Sequence, residues 1–211
     1  MLVPIIFSFN YTYNTLIDAW KIYIGSACRF IEQCSKPQKI DRIYVRLDYD
    51  KCAHLNDLAI IDLRNKVPEI EGVPICLPKK EEPLRLVLNA IGSGADPSRR
   101  KAFSGGLQKT NLFKAVEKDK IIETVDKISA LCSGDSGGPL FFSQMGRYVQ
   151  VGIASAVSPP CERSAEYMQN RYVDVRKYLG WICKHTGKYI LCIIVILGIC
   201  PKEDTDDEED L

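Results

Sequence analysis

The sequence predicts an all-β protein, a barrel or a sandwich, on three observations. Short runs rich in Val, Ile, Leu and Tyr recur along the chain, most of them bounded by Gly, Pro, Asp or Ser. Helical periodicity is scarce in the body of the chain. The composition is that of a globular protein, 46% hydrophobic and 26% charged over 211 residues, long enough for one or two compact units with a proper core.

Residues 21–24 (KIYI), 42–47 (RIYVRL) and 58–63 (LAIIDL) open the series of strands. Residues 84–91 (LRLVLNAI), 138–142 (GPLFF) and 148–154 (YVQVGIA) continue it, and this repetition argues for a barrel or sandwich. Residues 92–106 (GSGADPSRRKAFSGG) are a loop by composition. Residues 114–127 are charged and read as a short helix or an exposed connection. Residues 178–184 (YLGWICK) are suited to a closing helix. No internal repeat is present.

The ends of the chain differ from its body. Leu2 to Phe9 is apolar but short; it holds Pro4 and lacks a basic leader and a small-residue cleavage site, so it does not read as a signal peptide. Residues 189–200 (YILCIIVILGIC) form a 12-residue uncharged run. As a helix it would reach about 18 Å, short of the roughly 20 residues a bilayer needs. It reads as a buried terminal segment or an aberrant translated end, with membrane contact as the weaker alternative. A lipid-anchor signal is not expected here, because such a signal ends in its apolar stretch.

The net charge of +1 hides an asymmetry. Residues 203–210 (EDTDDEED) hold seven acids, and without residues 201–211 the chain carries 27 bases and 20 acids. The surplus is spread out, with no block beyond Arg99-Arg100-Lys101. A nucleic-acid partner would require a clustered basic stripe with aromatics, and there is none. Nine cysteines are present, with no CxxC pair and only two histidines, which argues against a zinc site. Several disulfides in an oxidising compartment, with at least one odd thiol, are the better reading. Asn10-Tyr11-Thr12 is a glycosylation sequon that fits secretion.

The strongest chemical signal is Gly134-Asp135-Ser136-Gly137-Gly138-Pro139-Leu140, with Cys132 just upstream. A serine hydroxyl is a poor nucleophile without a base to take its proton and donors to hold the oxyanion. Glycines beside it let the backbone turn tightly, so that N–H groups, here those of Gly134 and Ser136, point at the developing charge. A lone G-x-S-x-G would be a weak signal; this longer string is specific.

At these residues the sequence resembles the chymotrypsin/trypsin family of serine endopeptidases. Asn56-Asp57-Leu58-Ala59-Ile60-Ile61 resembles the segment whose aspartate orients the catalytic histidine. Val73-Pro74-Ile75-Cys76-Leu77-Pro78 resembles the stretch between the two barrels. Val151-Gly152-Ile153-Ala154-Ser155 resembles the strand lining the substrate cleft, and Tyr172-Val173-Asp174-Val175 with Tyr178 and Trp181-Ile182 resembles the closing strand and helix. Asp57 and Ser136 lie 79 residues apart, against about 93 in the family template. The shortening is tolerable if surface loops shrink.

The resemblance implies a trypsin-like double β-barrel, incomplete in its first barrel, with a short C-terminal helix. It divides the chain into an atypical segment (1–20), a partial protease domain (21–184), and an apolar run with an acidic tail (185–211). It implies Ser136 as nucleophile, Asp57 as orienting acid, and Gly134 with Ser136 as oxyanion donors. Cys132 and Cys161 match the pair that braces the primary specificity pocket. Cys76 matches one that ties many relatives to an upstream chain; its candidate partners here are Cys28, Cys34 and Cys52. No cofactor and no metal are implied, and the expected partner is a peptide or protein, as substrate or as ligand.

The family's histidine lies about 45 residues before its aspartate, which falls in 9–14 (FNYTYN), where there is none. The activation sequence is also missing; residues 21–25 (KIYIG) imitate it too close to Asp57 to leave room for a histidine loop. The chain is therefore expected to begin just past the histidine motif, with exposed strand edges in its first barrel. Asp135, which in relatives pairs with a freshly cleaved amine, is expected to lack that partner. His54, three residues from Asp57, is poorly placed to lie between aspartate and serine, and His185 follows the closing helix. Activity as written is expected to be close to nil, since losing the base costs on the order of 10⁶ in kcat in a well-studied serine protease. At the base of the primary pocket stands Ala130, which cannot pair a buried cation, and Val157 would narrow the mouth beside Ser155 and Ala156. The pocket then suits small or medium apolar side chains, or has simply drifted. Two readings follow: an endopeptidase domain, or a secreted protease-like module that binds without cleaving.

Overall fold

In the computed structural model the described residues are 5–7, 21–25, 36–96, 106–127, 130–161 and 167–186. The sequon at Asn10, the apolar run 189–200 and the acidic tail lie outside them. The described residues build two antiparallel sheets and, at their C-terminal end, one short helix.

The first sheet has three strands, β1 (Ile5–Phe7), β2 (Ile40–Val45) and β3 (Ala59–Leu63), in the order β1-β3-β2. Residues 21–24, expected as a strand, contribute one isolated bridge, Ile22 to Gln38. The central β3 is apolar except at Asp62, and its other four residues are buried. Ile61 and Leu63 join Ile40 in one core, while Leu58 and Ile60 face the second sheet and the terminal helix. β1 adds a strand to β3 from the segment read as atypical, with Ile6 opposite Ile60.

The second sheet has seven strands: β4 (Val87–Gly92), β5 (Gln108–Phe113), β6 (Val116–Lys118), β7 (Ile121–Asp126), β8 (Pro139–Gln144), β9 (Arg147–Ser158) and β10 (Met168–Asp174). Their order is β5-β4-β8-β9-β10-β7-β6, and β5 meets β7, so the sheet curls on itself around Leu88, Leu112, Ile122, Leu140, Val151 and Tyr172. β8 and β9 form a two-residue hairpin at Met145 and Gly146, both with positive φ (48° and 74°), the twist such turns require.

Residues 114–127, expected as a helix or an exposed connection, are instead the hairpin β6–β7. Their charges concealed it. Glu123 is buried yet paired with Lys118 and Arg171, so a carboxylate that reads as surface belongs to a buried strand. After β10, Asp174 caps a 3-10 turn (Val175–Tyr178) through Arg176 N–H, and α1 (Leu179–Thr186) follows. Ile182, Leu179 and Tyr178 pack on Leu58 and Ile60 from β3's segment and on Ile153 and Val173 from the second sheet. One core thus ties both sheets to the helix. No helix among the described residues is long and apolar enough to cross a membrane.

Candidate active site

The turn between Leu131 and β8 carries the serine. Gly134 and Gly137 have φ of 98° and 84°, in the left-handed region that glycine tolerates best. A Cβ on Gly138 would lie 2.4 Å from the Ile91 carbonyl oxygen, so only glycine fits there. Ser136 is exposed at the tip of this turn. Its base is sewn to β9: Gly137 N–H donates to the Ala154 carbonyl and Ala154 N–H donates to the Gly138 carbonyl, both at 2.8 Å.

Asp57, in the loop just ahead of β3, meets the next residue of β9, Ser155. It is buried, at 1% exposure, and its Oδ2 accepts a 2.7 Å hydrogen bond from Ser155 Oγ. Consecutive residues of β9, Ala154 and Ser155, therefore hold the serine turn and the aspartate. The loop leading to Asp57 is bent by two non-glycine residues with positive φ, His54 (53°) and Asn56 (56°). Asn56 is fixed on three sides: its Nδ2 donates to the Asp48 carbonyl, and its Oδ1 accepts from Tyr178 Oη at 2.7 Å and from Lys120 Nζ at 3.4 Å. Burial pushes the Tyr49 hydroxyl upward, and the nearby charges of Asp57 and Asp50 push it the same way.

Asp135, expected to lack an amine partner, is held by two backbone N–H groups. Its Oδ1 accepts from Gly94 N–H at 2.8 Å and its Oδ2 from Cys132 N–H at 2.9 Å. Side chains at Gly92 or Gly94 would collide with that carboxylate; a Cβ would stand 2.0 and 2.6 Å from its atoms. The glycine-rich stretch that read only as a loop thus begins as a cradle for Asp135. Tyr172 is fully buried in the same region; burial first, then the Asp135 charge, raises its hydroxyl above the ordinary tyrosine range.

Of the three residues assigned to the specificity pocket, Ala130 and Val157 are half-buried. Ser155 turns its hydroxyl to Asp57. Val157 packs against the core of the second sheet. A residue the sequence did not single out, Asn170, is fully buried between these elements, bonded to Leu131 N–H and to Thr124. Its signal was faint: an amide side chain, of a type depleted in strands, within the otherwise ordinary run MQNRYVD.

Neither histidine is found bonded to Asp57 or Ser136. His54 is half-buried with no hydrogen-bond partner for its buried Nδ1. His185 packs on Tyr44 and Trp181, with ring centroids 4.5 and 4.9 Å away. Cys132 and Cys161 are bonded to each other, Cys76 and Cys183 are disulfide-bonded as well, and Cys52 is free, which removes it as a partner for Cys76. Cys28 and Cys34, the other candidates, lie outside the described residues. Among the described residues no group of His, Cys, Asp and Glu is arranged to hold a metal.

Comparison with known proteins gives a consistent picture. The sequence model of the family described as Trypsin matches residues 15–182. A CLIP domain-containing serine protease B14 from Anopheles gambiae is 26% identical over 190 residues, covering 75% of this chain and 50% of that protein. Phenoloxidase-activating factor 3 from Holotrichia diomphalia is 30% identical over 172 residues, covering 72% of this chain and 49% of its own length. Serine protease filzig from Drosophila melanogaster is 26% identical over 179 residues, 72% of this chain and 10% of that protein. The chain spans about half the length of the first two.

Proposed function

The chain belongs to the trypsin family, and from that premise we propose that it is a serine-endopeptidase-type domain whose cleft, as written, holds a peptide without cutting it. Ser136 is the nucleophile of the ancestral site, Asp57 the orienting carboxylate, and the N–H groups of Gly134 and Ser136 the oxyanion donors. The observation that carries this reading is the pair of adjacent residues on β9: Ala154 anchors the serine turn and Ser155 bonds Asp57. Serine and aspartate are joined through one rigid strand, which is what a triad needs of its scaffold.

Hydrolysis requires one more group. As Ser136 Oγ attacks a carbonyl carbon, its proton must pass to a base and then to the leaving amine. His185 is engaged with Tyr44 and Trp181 on the terminal helix. His54 follows a left-handed bend of its own. With no imidazole between Asp57 and Ser136, a bound carbonyl would meet oxyanion donors and a neutral hydroxyl, which suits retention of a peptide rather than its cleavage. The cysteine pattern and the Cys132–Cys161 bridge support an extracellular setting.

A fluorophosphonate probe tests the reading. The full chain is expected to leave Ser136 unlabelled under conditions that label an active family protease completely, while binding peptides in the cleft. Labelling located at Ser136 by mass spectrometry would show that a base acts on it and that the domain is an active endopeptidase. Absence of both labelling and peptide binding would sink the binding reading.

A further inference from the structure

We propose that the second sheet carries a binding site for a small carboxylate with an apolar body, in the cavity where β4 and β8 part, with Arg85 holding the carboxylate. None of the residues involved belongs to the serine turn or to the surroundings of Asp57, so the proposal does not rest on the protease-type reading of the cleft.

β4 and β8 each run for six residues, yet they pair at two positions only, Asn89 with Phe141 and Ala90 with Leu140. Carried on, the same register would set Leu88 against Phe142 and Val87 against Ser143, and neither pair forms. β8 is also bulged against β9 between Leu140 and Phe141, and a bulge bends its strand. At the parted end lies a cavity of about 550 Å³, lined by Arg85, Val87, Asn89, Phe142, Ser143 and Gln144. That volume falls within the range of small-molecule sites.

The lining has a charged part and an apolar part. Arg85 lies with its guanidinium carbon 5.0 Å from the centre of the Phe142 ring, held by the face of an aromatic group. Its Nη2 is 3.4 Å from Glu82 Oε1 and 3.3 Å from Gln144 Oε1. Both contacts are long for hydrogen bonds. Arg85 Nε and Nη1 make none among the described residues, and neither do the Asn89 amide and the Ser143 hydroxyl. A planar fork with spare donors matches a carboxylate, which can accept two parallel bonds from it. Arg147 adds charge. It lies on β9 directly opposite Gln144, hence on the same side of the sheet, and it is exposed with no ion pair among the described residues. Two guanidinium groups thus outweigh the single Glu82 carboxylate. The apolar body of the ligand has its place beside them: Val87 lies directly opposite Phe113 of β5, and the two are 40% and 46% exposed. Covering that pair removes apolar surface from water while the acid group stays on Arg85.

The experiment titrates the isotope-labelled full chain with phenylbutyrate, with its uncharged amide and with acetate, following the backbone amide resonances of Val87, Asn89, Ser143 and Gln144. Phenylbutyrate is expected to move all four with a Kd of about 1 mM, as befits so small a ligand. The uncharged amide and acetate are each expected to bind at least about tenfold more weakly, one lacking the charge and the other the apolar body. Arg85→Gln is expected to weaken phenylbutyrate about tenfold and to leave the amide unchanged, and Arg85→Lys to recover only part of the loss. The uncharged amide or acetate binding the wild type as tightly as phenylbutyrate would overturn the proposal. So would shifts that spare these four residues, or none at all up to about 20 mM. The comparison of the three compounds on the wild type decides the matter even if Arg85→Gln does not fold.

Discussion

A carboxylate as deeply buried as Asp57 needs donors, and Ser155 Oγ supplies one at 2.7 Å. Hydrogen bonds to a charged group are worth more than neutral ones, because the group left behind cannot recover its hydration. Ser155→Ala is therefore expected to destabilise the protein by about 1.5–3 kcal/mol in urea denaturation. A loss below about 0.5 kcal/mol, typical of an ordinary surface change, would mean that the bond contributes nothing distinctive. The glycines of the serine turn act at the same scale: Gly138 is dictated by the Ile91 carbonyl 2.4 Å from where a Cβ would stand. That glycine was visible in the sequence as part of GDSGGPL. The reason for Gly92 and Gly94 was not, because the Asp135 carboxylate they cradle comes from about 40 residues away in the chain.

Between elements, a dense polar junction forms at Arg176 in the 3-10 turn. Its Nε and one terminal nitrogen grip Asp174 at 2.9 and 2.7 Å, while its other terminal nitrogen reaches Glu117 of β6 at 2.9 Å and the Glu82 carbonyl at 2.6 Å. Asp174 is wholly buried and Arg176 nearly so. The junction fastens β10 and the 3-10 turn to the β6–β7 hairpin and to the segment ahead of β4. Removing one member of a buried pair leaves the other charge uncompensated, so Arg176→Ala is expected to cost about 3–5 kcal/mol. Arg176→Lys keeps the charge but not the fork, and should recover part of that loss. Equal urea midpoints for the two variants would show that the charge, and not the geometry, is all that matters here. The same logic explains why the β6–β7 hairpin was hard to read: charges usually mark a surface, and here one of them, Glu123, is buried because it is paired.

Over the whole molecule, the terminal helix decides how the two sheets are held together. It follows the second sheet in sequence, yet His185 near its end packs on Tyr44 of β2 in the first. Burial first, then the charges of Lys184 and Arg46, lowers the His185 pKa below the ordinary 6.5. A histidine with a depressed folded pKa takes up its proton more readily when unfolded. Its contribution to stability is complete above about pH 6.5 and is lost as pH falls through the lower, folded value. The melting temperature is expected to fall between about pH 7.5 and about pH 5, and to fall less steeply in His185→Phe, which keeps the ring contact without the proton. Parallel curves for the two proteins would remove His185 from the account.

By itself, the sequence determined the class of fold and the order of its parts. Short runs rich in Val, Ile, Leu and Tyr recur along the chain, and GDSGGPL, the Asn56-Asp57 segment and the closing Tyr178–Trp181 stretch each carry their meaning in a few adjacent residues. Only the tertiary structure decided which groups satisfy one another. Ser155 meets Asp57 across 98 residues, Asp135 meets Gly94 across 41, and Asn170 meets Leu131 across 39. The strand that β1 adds to β3 is of the same kind, a pairing between distant segments. A buried donor must find an acceptor, but local pattern does not say which one. That choice is made when the sheets curl and bring remote backbone and side-chain groups within hydrogen-bonding reach.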